Sequence, residues 1–87
     1  MSAERRFGSE KIVSLTHHPD GLAGTVVDVV GNAELQGRLM GMGLFVGTRF
    51  ELLRKGSTRS NKPFLLAIGE TRIAVDYRIA KMIFVEP

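Results

Sequence analysis

Gly24-Thr25-Val26-Val27-Asp28-Val29-Val30 runs through Gly31-Asn32 into Ala33-Glu34-Leu35-Gln36-Gly37-Arg38-Leu39-Met40-Gly41-Met42-Gly43-Leu44, and the change of pattern within this stretch decides the fold. The first half is β-branched at most positions and closes on Gly-Asn, which reads as a strand. In the second half Asn32 is a good N-cap and Glu34 suits the positive end of a helix dipole. Leu35, Leu39 and Met42 then recur at i, i+4 and i+7, so they share one face of a short helix. Gly43 stands where a left-handed C-terminal cap wants glycine, with Leu44 where the apolar contact of such a cap lies. The helix is expected to stop at Met42. Gly37 and Gly41 each cost it about 1 kcal/mol relative to alanine, and close packing against a strand is the expected compensation.

Upstream, Ile12-Val13-Ser14-Leu15 reads as a short strand and Thr16-His17-His18-Pro19-Asp20-Gly21 as a turn. Residues 1–11 are polar and aperiodic, a mobile lead-in by composition, and the domain is expected to occupy residues 12–87. Downstream, Thr48 to Lys55 alternates partly and reads as a half-buried strand, Gly56 to Lys62 as a loop, and Phe64 to Ile68 as an apolar strand. Gly69-Glu70 is a tight turn into Thr71 to Val75. Asp76 caps one helical turn, Tyr77 to Lys81, before a closing strand, Met82 to Val85. The sum is a mainly β domain: a small SH3-like barrel of five or six short strands with one short α-helix and one helical turn. A barrel also removes the exposed edges of so small a sheet.

Eighty-seven residues suffice for one core and leave no room for a second domain. Without cysteine, thiol chemistry, disulfides and thiolate zinc sites are excluded, which fits a reducing compartment. The first residues lack the apolar core of a signal peptide, and the longest strongly apolar stretch, Leu39 to Val46, falls far short of the roughly 20 residues that span a bilayer. The chain is therefore expected in the cytoplasm, with no membrane insertion. Twelve basic and nine acidic residues give a net charge of +3, too mild to diagnose a nucleic-acid binder. The charge is uneven, however: Arg49, Arg54, Lys55, Arg59 and Lys62 face a single acid, Glu51, between positions 49 and 62.

These residues resemble the ferrous iron transport protein A (FeoA) family. Leu15 and Gly21 match its opening, Arg38-Leu39 with Gly43-Leu44 and Gly47 its centre, Pro63 the proline that opens the next strand, and Ala74, Ala80, Ile83 and Val85 its end. The string Arg38 to Gly47 is the most specific part. Two positions depart: Val46 stands where the family usually has proline, and Val75-Asp76 where it usually has Leu-Arg. The resemblance implies an SH3-like, non-catalytic adaptor that associates with the cytoplasmic face of a ferrous iron transporter of the FeoB type, and is held at the inner face of the membrane through that partner. A monomer or weak homo-oligomer is expected, with no cofactor.

Five residues form the candidate partner surface: Arg38, Leu39, Leu44, Phe45 and Val46. Leu44-Phe45-Val46 places three apolar residues just past a helix end, where polar loop residues are the norm; the alternative has Phe45 folding back over the barrel mouth. Leu39 is expected to anchor the helix, with Arg38 at the edge of the same face. The basic loop, Arg54, Lys55, Arg59 and Lys62, is a possible contact for an acidic face, for lipid headgroups or, on the competing reading, for RNA; it also fits an ordinary solvated loop. Nucleic acid is not the expected partner, because Tyr77 and the phenylalanines lie mostly at core-patterned positions instead of forming a stacking platform. His17-His18 with Asp20 has metal-ligand chemistry, but adjacent residues on a strand point to opposite faces, and no metal is expected there. Gly41, Gly43 and Gly47 lie within and after a helix, where a phosphate loop would need them before it. No constellation of catalytic residues is found, so neither enzyme activity nor nucleotide binding is expected.

Overall fold

The computed structural model describes residues 11–87. Apart from Lys11, the lead-in expected from composition lies outside the described residues. The chain forms six strands: β1 (Val13–Ser14), β2 (Ala23–Val29), β3 (Arg49–Arg54), β4 (Phe64–Ile68), β5 (Thr71–Val75) and β6 (Ile83–Glu86). Helix α1 (Ala33–Gly41) links β2 to β3, a helical turn α2 (Tyr77–Ala80) links β5 to β6, and a 3-10 turn (Leu15–His17) follows β1.

All pairings are antiparallel, in the order β1-β6-β2-β3-β4-β5. The SH3-like architecture is as expected, but the expectation that closure removes both edges is not met, because β1 and β5 end the sheet without pairing to each other. Ser14 explains why β1 stops after two residues. Its hydroxyl accepts from Thr16 N and starts the 3-10 turn, and it also donates to Ala80 O at 3.3 Å, tying this end of the sheet to α2. The gap is therefore bridged by helical turns.

The core follows the strand alternation. Val26, Phe50, Leu52, Phe64, Leu66, Val75, Ile83 and Val85 turn inward, joined by Leu15, Leu39, Leu44 and Ala80 from the helical segments. Two bulges interrupt the ladders, at Val27 between β2 and β6 and at Leu53 between β3 and β4. The first breaks the alternation along β2 and re-aims its outer side chains.

Helix α1 begins as expected, with Asn32 Oδ1 accepting from Leu35 N at 2.9 Å. At its end Leu44 N donates to Leu39 O and Gly43 N to Met40 O, with Gly43 at φ 91°, the paired bonds of a Schellman cap. Leu39 and Leu44, the apolar partners of such a cap, are both buried. The close packing expected at Gly37 and Gly41 is absent: a Cβ at either would meet nothing within 4 Å. Both lie on the solvent side of the helix.

Candidate functional site

Past the cap the chain makes a tight turn, and Thr48 locks it. Thr48 N donates to Phe45 O at 2.9 Å, leaving Val46 and Gly47 as the two central residues, and Gly47 has φ 96° as the third position of a type II turn requires. The buried Thr48 hydroxyl donates to Gly43 O at 2.9 Å and accepts from Phe45 N at 3.2 Å. Gly47 N bonds Val26 O, and Val26 N bonds Thr48 O, each at 2.8 Å, so the turn is fastened to β2.

This turn holds its apolar side chains outward. Phe45 is 45% exposed and Val46 62%, so Phe45 does not fold over the barrel mouth. Met40, 60% exposed, joins them from α1 around a groove of ≈ 350 Å³ floored by Leu44 and flanked by Val29, Gln36 and Asp28. Gln36 itself is held by bonds from its amide to Val29 O and Gly31 O.

The five residues expected to share one partner surface are divided by α1. Leu39 and Leu44 are buried in the core, where they position the helix. Arg38 is on the other flank, in a groove of ≈ 320 Å³ with Met42, Pro63, Asp76 and Ile79. Phe45 and Val46 remain together, and the sequence-based set lacked Met40, whose i, i+4 relation to Gln36 was the available signal. Asp76, a departure from the family pattern, has a local role: its carboxylate accepts from Ile79 N at 2.8 Å and caps α2. It also places an acid in the groove that holds Arg38.

The basic loop is structured. Ser57 and Lys62 exchange backbone bonds at 2.8 and 3.0 Å, the Ser57 hydroxyl accepts from Arg59 N and Ser60 N, and Asn61 adopts φ 56°. Arg54, Lys55, Arg59 and Lys62 are all exposed on it. Of the aromatics, Phe50 and Phe64 are buried, and Phe84 and Tyr77 are half-buried.

His17 and His18 diverge. His17 is exposed, whereas His18 is fully buried, donates from Nε2 to Leu22 O at 3.0 Å and lies against the Phe50 ring at 5.1 Å. His18 is part of the packing. Among the described residues no group of three or more His, Asp or Glu side chains is placed to hold a metal ion, and no helix is long and apolar enough to cross a membrane.

An open, strongly curled antiparallel sheet with one helix between its second and third strands defines a small SH3-like domain. The FeoA domain model matches residues 13–87, and the chain belongs to the FeoA family, a family linked to Fe(II) uptake. Among solved structures it is similar to a crystal structure of an iron uptake regulatory protein (FeoA), with 27% identity over 86% of this chain and 95% of the other, TM-score 0.74. It is also similar to the iron(II) transport protein A of Clostridium thermocellum, with 26% identity over 85% of this chain and 44% of the other, TM-score 0.73. A zinc-bound ScaR shares the fold alone, at 24% identity over 85% of this chain and 36% of the other, TM-score 0.73. No curated protein sequence matches the chain.

Proposed function

We propose that this protein is a cytoplasmic, non-catalytic adaptor that binds the cytoplasmic side of a FeoB-type ferrous iron transporter and supports or regulates Fe(II) uptake. Membership of the FeoA family supports the link to iron uptake. One structural observation carries the binding reading: Phe45 and Val46, held out to solvent by a hydrogen-bonded turn, and Met40, presented from α1, border a groove that the described residues leave unfilled. A preorganised apolar surface of this kind is suited to a protein partner, because little side-chain or loop entropy is lost on docking. Arg38 borders the neighbouring groove and sets charge at its edge.

The test is binding of the purified protein to its own cell's ferrous iron transporter in detergent, beside a structured RNA. Phe45→Ala is expected to fold normally by circular dichroism and to weaken transporter binding by at least tenfold, as truncation of an interface anchor does at about 1.4 kcal/mol or more. Arg59→Ala is expected to leave it unchanged. Salt-sensitive RNA binding lost in Arg59→Ala, without transporter binding, would instead assign the function to the basic loop.

A further inference from the structure

Asp28 lies at the junction of two apolar grooves. On one side is the groove bordered by Met40, Phe45 and Val46; on the other, a shallower one of ≈ 440 Å³ lined by Ile12, Val27, Val30 and Phe84. The β2 bulge brings this about, because it lets the successive residues Val27 and Asp28 border the same groove. Ile12, Val30, Met40, Phe45 and Val46, five large apolar side chains exposed to solvent, all border this combined surface. Among the described residues Asp28 is the only charged one in either lining. On a chain of net charge +3, this apolar surface is thus marked by a lone acid, while Arg38 and Arg78 sit on the far flank of α1.

Resting on the adaptor reading, we infer that this surface receives a partner segment in which one arginine or lysine is flanked by apolar side chains, the base meeting Asp28 and the apolar residues filling the grooves on either side. Asp28 is oriented for this. Its Oδ1 accepts from Val29 N at 2.9 Å, which fixes the carboxylate and leaves the second oxygen for a cation. The acid also selects against other partners. A wholly apolar segment would strip water from Asp28 and return nothing, and an acidic one would add repulsion.

Overlapping peptides covering the cytoplasmic segments of the cell's own ferrous iron transporter provide the probe, with binding read by fluorescence anisotropy. Asp28→Asn can keep an acceptor for Val29 N while replacing the second oxygen by an uncharged NH2 group, so it serves as the partner variant in a double-mutant cycle. The best-binding peptide is expected to carry a base between apolar residues. Replacing that base by glutamine should lower affinity about tenfold against the native chain and less than twofold against Asp28→Asn. An equal loss against both proteins, or a best peptide without a base, overturns the inference while leaving the adaptor reading in place. Failure of both the peptides and the intact transporter to bind overturns both. Concentration-dependent self-association abolished by Asp28→Asn would make the surface a contact between copies of this chain, and the inference would be wrong.

Discussion

A methyl group at Gly24 would lie 2.8 Å from His18 Cε1, 2.9 Å from Phe50 Cζ and 3.0 Å from Glu86 O, whereas one at Gly37 would touch nothing within 4 Å. The same residue type therefore has opposite consequences at two positions. Gly24 lets a strand pass over the buried His18–Phe50 pair, with backbone on its remaining side, so the neighbours have little room to give. Gly24→Ala is expected to destabilise the fold by about 1–3 kcal/mol through overpacking. Gly37→Ala should stabilise it by up to about 1 kcal/mol, because the helix gains a better former and nothing moves. Denaturant titrations with unchanged m-values would check both signs; a destabilising Gly37→Ala would mean that α1 packs more closely than it does here. The sequence showed that Gly37 weakens the helix but not that its surroundings are empty, since the letter glycine is shared by tight contacts, turns and unoptimised surface. His18 is a similar case. Pro19, Asp20 and Gly21 put it in a turn, and only the strand crossing above it explains its burial.

At the scale of elements, most of the structure was legible because its signals are local. Asn32 caps α1, Gly43 and Leu44 end it, Asp76 caps α2, and Gly69, with φ 60°, turns β4 into β5, each at the position its sequence neighbours imply. The turn after α1 goes further than its sequence reading. Val46 occupies the second position of a type II turn, where the fixed φ of proline is preorganised, so the family's usual proline at this place has a physical reason. No hydrogen bond from Val46 N is needed to hold the turn, which Thr48 and Gly47 secure. Val46→Pro is accordingly expected to raise stability by about 0.4–1 kcal/mol, chiefly by restricting the unfolded chain, seen as a higher midpoint in thermal unfolding. A lower midpoint would show that the native backbone at Val46 departs from the proline-compatible form. The candidate partner set was less legible for a geometric reason: Arg38 and Leu39 are consecutive on a helix, so about 100° of rotation separates them, and sequence proximity placed on one surface with Phe45 and Val46 what α1 divides between the far groove and the core, while Met40, the next residue round, was left out.

At the scale of the whole molecule, the strand order depends on contacts that no local pattern specifies. The last strand, β6, lies between β1 and β2, with Val85 opposite both Val13 and Val26, so the two ends of the described chain meet in the middle of one half of the sheet. Alternation puts Ile83 and Val85 on one face of a strand but does not say which strands flank them. The same limit explains the expectation of a closed barrel: closure would need β1 to pair with β5, and β1 yields to the 3-10 turn after two residues. Protection against amide hydrogen exchange should follow this order, because opening free energy rises with the number of paired neighbours. Amides of β2, β3, β4 and β6 are expected to exchange slowest, and those of Val13, Ser14 and the outward edge of β5 fastest. Edge amides of β5 protected as strongly as those of β2 would mean that the sheet closes in solution. The prediction bears on the proposed surface as well. Gly47 and Thr48 hydrogen-bond to Val26 on β2, so the turn carrying Phe45 and Val46 is fastened to the protected interior of the sheet, and the amides of Gly47 and Thr48 should exchange slowly despite the exposure of the turn's side chains.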